Sequence, residues 1–216
     1  MEQIWYKTAK SILWAIVLQL VASFFMGLFG AIAAITAIGG ALSSDSTGIP
    51  ALLAGAGALG IITILLGIVV LGAYVWYFFE LCKFINLQTN KPDANAIAMV
   101  RNAVIVSFIG TICGLIPVIG SVISIICAIA AAVMTLIGFS SYSKSAALPA
   151  IGLKGASQLK TYAILSIIAA ILVIIPLAGA IIAGILGIVG LVFLIMGWNN
   201  VAKGCPAPRV EGEPYL

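Results

Sequence analysis

Histidine is absent and charge is scarce. The chain of 216 residues has no His, and only 7% of it is Asp, Glu, Lys or Arg, against 63% hydrophobic residues. A water-soluble domain carries about 25% charged residues. A chain this poor in charge cannot cover its own surface in water, which excludes the soluble globular, disordered and nucleic-acid-binding classes. The missing His removes the commonest general base, the usual zinc ligand and the side chain that titrates near neutrality. Six acidic residues occur, Glu2, Asp45, Glu80, Asp93, Glu211 and Glu213, and none stands in the middle of an apolar run. Coupling to protons or sodium needs an ionisable group at membrane depth. Its lack argues against ion-coupled transport and against intramembrane catalysis.

Cysteine is sparse as well. Cys82, Cys113, Cys127 and Cys205 form no CxxC pair, so neither a metal site nor a cofactor is expected. Cys113 and Cys127 sit inside apolar runs and read as small core residues, while Cys82 and Cys205 read as free thiols at span ends. Net charge is +4, from ten basic residues and six acidic ones. The basic residues flank apolar runs instead of forming the dense stripe that tracks a phosphate backbone. The expected partner is therefore the lipid bilayer and not nucleic acid.

What the chain has in abundance is long apolar runs. The first extends from Ser11 to about Leu42, far beyond a signal-peptide core, and reads as an uncleaved span. A polar turn follows at 43–48, and Pro50 opens a second run that ends near Phe79. Residues 86–95, the most polar internal stretch, form a connector, and Asp93 or Asn95 is the expected cap of the next helix. The third run covers about 96–116, a tight turn occupies Pro117–Gly120, and the fourth covers about 121–139. Residues 140–158, with Pro149, Gly152 and Gly155, read as a connector in the headgroup zone. The fifth run covers about 159–175, Pro176–Gly179 is a turn, and the sixth covers 180–197. These runs rise roughly 25–45 Å, enough to cross a hydrocarbon core of about 30 Å. The reading is an all-α integral membrane protein whose six transmembrane helices form three helical hairpins. Its segments are 1–95 (spans 11–42 and 50–79, then the connector), 96–158, 159–203 and an extended cytoplasmic tail at 204–216.

The second and third hairpins match without a gap at a shift of 59 residues. Arg101 answers to Lys160, Pro117 to Pro176, Gly120 to Gly179, Gly138 to Gly197, Phe139 to Trp198, and Lys144 to Lys203. The first hairpin fits more loosely, through Phe78 with Lys83 and through Lys7 set against Arg101.

Charge sets the expected orientation. With the N-terminus inside, every basic residue falls on the cytoplasmic side, and the opposite side carries only Asp45. Lys83, Arg101, Lys144, Lys160 and Lys203 then act as cytoplasmic anchors. Trp5, Tyr6, Trp14, Trp76, Tyr77, Tyr142, Tyr162 and Trp198 stand near the same ends of the spans and are expected at headgroup level. Short loops make a cell membrane, by default a bacterial inner membrane, the expected location.

Glycine is the packing signal. Gly110 and Gly114 form a GxxxG pair, and Gly184, Gly187 and Gly190 recur every third residue, as helix-packing or subunit-interface positions. Gln19, Ser107, Thr111 and Ser166 are polar groups within spans that could line a pore, Ser107 and Ser166 being equivalent in the repeat. Ser141 and Lys144 fit S-x-x-K, but in a juxtamembrane stretch with no visible oxyanion donor. The expected function is non-catalytic: a membrane-complex subunit, scaffold or membrane organiser acting through helix packing, with lipid, a second copy or a membrane protein as partner. The alternative is an uncoupled channel or carrier for a small neutral or lipophilic solute.

This orientation has a direct check. In a cysteine-free background, Lys91→Cys and Lys154→Cys should both be labelled by an impermeant maleimide from the cytoplasmic side. Labelling of the two from opposite sides would overturn the arrangement.

Overall fold

The computed structural model describes residues 1–42, 49–113, 119–172 and 178–206. It contains six α-helices: α1 (Glu2–Leu42), α2 (Ile49–Asn86), α3 (Lys91–Cys113), α4 (Ile119–Tyr142), α5 (Ala150–Leu172) and α6 (Ala178–Lys203). No strand occurs among the described residues. Each helix has a segment long and apolar enough to cross a membrane. Helices α3, α4 and α5, of 23, 24 and 23 residues, rise roughly 35 Å at 1.5 Å per residue. Helices α1 and α2 are much longer, at 41 and 38 residues.

The chain divides into two compact units. One joins Met1–Leu13 to Tyr77–Leu216, and the other is Trp14–Trp76. In the first, α3 packs on α4, α4 on α5, and α5 on α6. Its fully buried side chains include Trp5, Leu81, Phe84, Ile97, Val100, Phe139, Tyr142, Leu159, Trp198 and Val201. In the second unit, Phe25 contacts Phe24 and Phe29 at ring-centroid distances of 5.7 and 6.2 Å. Large aliphatic side chains such as Ile61, Ile64 and Ile68 stand exposed there. Exposed isoleucines also line the outer faces of α4 and α6, at Ile126, Ile185 and Ile188. Such side chains suit a surrounding of lipid tails.

Several expected boundaries move: α1 begins at Glu2 and not Ser11, α2 runs to Asn86 and not Phe79, and α6 runs to Lys203 and not 197. Helix α5 begins at Ala150, so Gly152 and Gly155 lie inside it and not in a connector. The cause is tertiary. A Cβ on Gly155 would come within 2.6 Å of Gly197 O and of Val201 N, and one on Gly152 within 3.2 Å of Gly204 O. The helix accepts residues of low propensity because only they let its backbone touch that of α6. Helix α3 begins at Lys91, with Asn90 as its cap in place of Asp93 or Asn95. Asn90 Oδ1 accepts from Asp93 N–H at 2.8 Å, and Asn90 Nδ2 donates to Asp93 Oδ2 at 3.0 Å. This is a reciprocal cap, and Pro92 costs nothing within a first turn whose N–H groups lack helical partners.

The buried faces are in register. Helix α5 buries Gly152, Gly155, Ala156, Leu159 and Ala163. Each stands 59 positions after a residue buried on α3: Asp93, Ala96, Ile97, Val100 and Val104. On α6, buried Gly190, Gly197, Trp198 and Val201 follow buried Ala131, Gly138, Phe139 and Tyr142 by the same interval. Individual contacts correspond too. A Cβ on Gly138 would strike Ala96 O and Val100 Cγ2 at 2.7 Å, and one on Gly197 would strike Leu159 Cγ at 2.7 Å and Gly155 O at 3.1 Å.

These contacts rank the glycines. Gly155→Ala should destabilise the protein by about 1–3 kcal/mol, since two backbones must part. Gly184→Ala should change stability by about 0.5 kcal/mol or less, because nothing lies within 4 Å of its Cβ position. Thermal unfolding in detergent checks the ranking.

Candidate functional site

The most strongly constructed region joins the first turns of α1 to the last turns of α2, α4 and α6. Four aromatic side chains meet there. Trp5 on α1 lies 4.5 Å from Phe84 on α2, Phe84 lies 5.6 Å from Trp198 on α6, and Trp198 lies 6.3 Å from Phe139 on α4. The last two pairs are edge-to-face, the arrangement that the ring quadrupoles favour. Trp5 Nε1 donates to Val201 O at 2.8 Å, tying α1 to α6. Trp5, Trp198 and Tyr142, expected at headgroup level, are fully buried within the protein. Trp14, Trp76 and Tyr6 are exposed. The physical reason is mutual: the rings cover one another.

Polar bonds surround this cluster. Asp93 is buried at the start of α3, and its Oδ2 accepts from Ser145 Oγ, which lies beyond the end of α4. Ser145 Oγ in turn accepts from Ala147 N–H at 3.2 Å. One carboxylate thus secures both the α2–α3 and the α4–α5 connectors. Lys10 Nζ donates to Asn199 Oδ1 at 2.6 Å, and Asn200 Nδ2 donates to Gln158 Oε1 at 2.8 Å. Lys83 pairs with Glu80 at 2.7 Å within α2. The sequence permits the last pair, whose i, i+3 spacing puts both side chains on one helical face. It gave no sign of Asp93 with Ser145, which are 52 positions apart.

An open cleft of about 510 Å³ lies at the outer ends of α1 and α6. Glu2, Gln3, Tyr6 and Lys7 line it from α1, and Ala202 and Lys203 from α6. Positions 2, 3, 6 and 7 share one helical face. Lys7 and Lys203 form no ion pair with a carboxylate among the described residues. Nearby, burial first and the Glu2 carboxylate second push the Cys205 thiol above its ordinary value.

The residues singled out from sequence fall into distinct places. Gly110 is buried against α4, where a Cβ would meet Cys127 Cβ at 2.7 Å, and a Cβ on Gly190 would touch the Tyr162 ring at 3.4 Å. Gly184 and Gly187 are exposed, with open space at their Cβ positions, so they make no helix contact within the described chain. Gly114 lies outside the described residues. Thr111 Oγ1 donates to Ser107 O at 2.9 Å and Ser166 Oγ to Tyr162 O at 3.0 Å, so both hydroxyls serve their own helices. Ser107 and Gln19 are half-buried. Arg101 bonds Asn102 Oδ1 through Nε and Nη2. Lys160 is half-buried, and Lys144 and Lys203 are exposed. Among the described residues, no three His, Cys, Asp or Glu side chains are grouped closely enough to hold a metal ion.

The Asp93 link can be measured. Asp93→Ala should cost about 1–3 kcal/mol, because Ser145 Oγ and Asn90 Nδ2 lose their common acceptor. A double-mutant cycle with Ser145→Ala should return a coupling of about 0.5 kcal/mol or more, read from thermal unfolding. No protein-family model matches the chain, and comparison with curated proteins and with solved structures gives no match.

Proposed function

We propose that this chain is a non-catalytic, multi-pass membrane protein, a complex subunit, scaffold or membrane organiser, that acts through its helix faces on lipid or protein partners. Its six apolar helices cross the bilayer as three hairpins, with both termini in the cytoplasm and the membrane a cell membrane. The observation that carries the reading is the contrast between the tied helix ends and the apolar helix faces. Aromatic and polar ties cluster tightly at the ends where the basic residues gather. The apolar legs carry exposed isoleucines and open glycines, including Gly184 and Gly187. Tightly tied helix ends together with apolar helix faces left open suit a protein whose work is association.

The common register of buried residues supports an internal repeat of the second and third hairpins. It also suggests how the first hairpin joins them. Trp5, Thr8, Ala9, Ile12 and Ile16 stand 88 positions before Asp93, Ala96, Ile97, Val100 and Val104, and all are buried. Ala73, Glu80, Leu81 and Phe84 stand 58 positions before Ala131, Gly138, Phe139 and Tyr142, again all buried. This register replaces the looser one that set Lys7 against Arg101.

Little favours the alternative of a channel. The hydroxyls of Thr111 and Ser166 donate to their own backbones, so towards a passing solute they offer acceptors only.

Purification from native membranes in mild detergent, followed by mass spectrometry, tests the proposal. A stoichiometric membrane-protein partner, a homo-oligomer or tightly retained lipid is expected. A lone, lipid-free monomer that conducts a neutral solute in liposomes would overturn it.

A further inference from the structure

We propose that the cleft between the ends of α1 and α6 binds a phosphoethanolamine-type headgroup, a phosphate ester bearing a small ammonium group. The inference deepens the reading given above and rests on its placing this end of the bundle at headgroup level.

The cleft holds about 510 Å³, open on one side. Its walls are pinned together beneath the opening. Trp5 Nε1 bonds Val201 O, and Lys10 Nζ bonds Asn199 Oδ1, so α1 and α6 are joined beside the lining residues and about one turn further along both helices. The lining carries two cations, one from each helix, and neither has a carboxylate partner among the described residues. Lys7 and Lys203 line the cleft from different helices, and two ammonium groups in one cleft suit a phosphate. Lys203 would otherwise serve only to complement the α6 C-terminus. Gln3 and Tyr6 supply neutral donors on the α1 wall.

Glu2 decides the class of headgroup. Its carboxylate lines the same cleft. A purely anionic headgroup would gain from two lysines and lose from the acid. A zwitterionic one places phosphate against Lys7 and Lys203 and its ammonium against Glu2, so all three charges are complemented. The chemistry is the same for a membrane aminophospholipid and for a soluble phosphoethanolamine.

Native mass spectrometry of the full chain separates these cases, with phosphatidylethanolamine, phosphatidylglycerol and soluble phosphoethanolamine as probes. Phosphatidylethanolamine should be retained in preference to phosphatidylglycerol. Lys7→Gln and Lys203→Gln should each weaken retention about 5-fold, and the double variant about 25-fold, on the usual worth of a lysine near a lipid surface. Glu2→Gln should erase the preference between the two lipids. Lys154→Gln, an exposed lysine outside the cleft, should change nothing. Retention of the lipid, or of soluble phosphoethanolamine alone, supports the site and names its source. Unchanged retention by the double variant, with thermal unfolding like the parent's, overturns it, as does equal binding of both lipids with Glu2 intact. Failure of the underlying orientation would appear separately, as labelling of residues 91 and 154 from opposite sides.

Discussion

Helices surrounded by lipid gain little from hiding apolar side chains from one another, because lipid tails are equally apolar. What holds them is close approach, dispersion and bonds that lipid cannot make. The remaining features of the structure follow from where such approach is achieved. Gly138 faces Ala96 and Val100, Gly155 faces Gly197, and Gly152 faces Gly204, with no room for a methyl group at most of these contacts. Around them the aromatic rings of Trp5, Phe84, Phe139 and Trp198 fill the space that small residues leave. Small and large residues thus divide the work, the former setting distances between axes and the latter filling the junction.

Polar side chains reinforce the same region. Asp93, Ser145 and Asn90 secure connectors, while Lys10 with Asn199 and Gln158 with Asn200 join helix ends. Each bond is made where one partner sits close to a polar connector or terminus. The apolar legs depend on intrahelical bonds, as the Thr111, Thr135 and Ser166 hydroxyls show. The same concentration explains why the cleft of Glu2, Lys7 and Lys203 has defined walls although its side chains are exposed.

Much of the helical layout was legible because its signals are local. Runs of Ile, Leu, Val and Ala announce helices suited to lipid wherever they occur, and α4 and α6 lie close to the runs from which they are read. The sequence offers a shift of 59 residues through Gly138, Lys144 and their counterparts, and buried positions of α3 and α5 stand at the same interval. Helix α5 was misjudged at its start, because Gly152 and Gly155 carry turn propensity that contact with α6 overrides. The burial of the tryptophans was not legible for a related reason. Trp5 and Trp198 have the sequence position of interfacial anchors and the burial of core residues, and position along a span does not say which way a ring turns.

By itself, the sequence determined that the chain would form long apolar helices, six in number and poor in charge, since composition and run length act residue by residue. Only the tertiary structure decided which glycines are contacts and which are open, which rings are buried, and that Lys7 and Lys203 share a cleft. Those outcomes depend on the rotation of each helix about its axis, and that angle is set by the neighbour it touches.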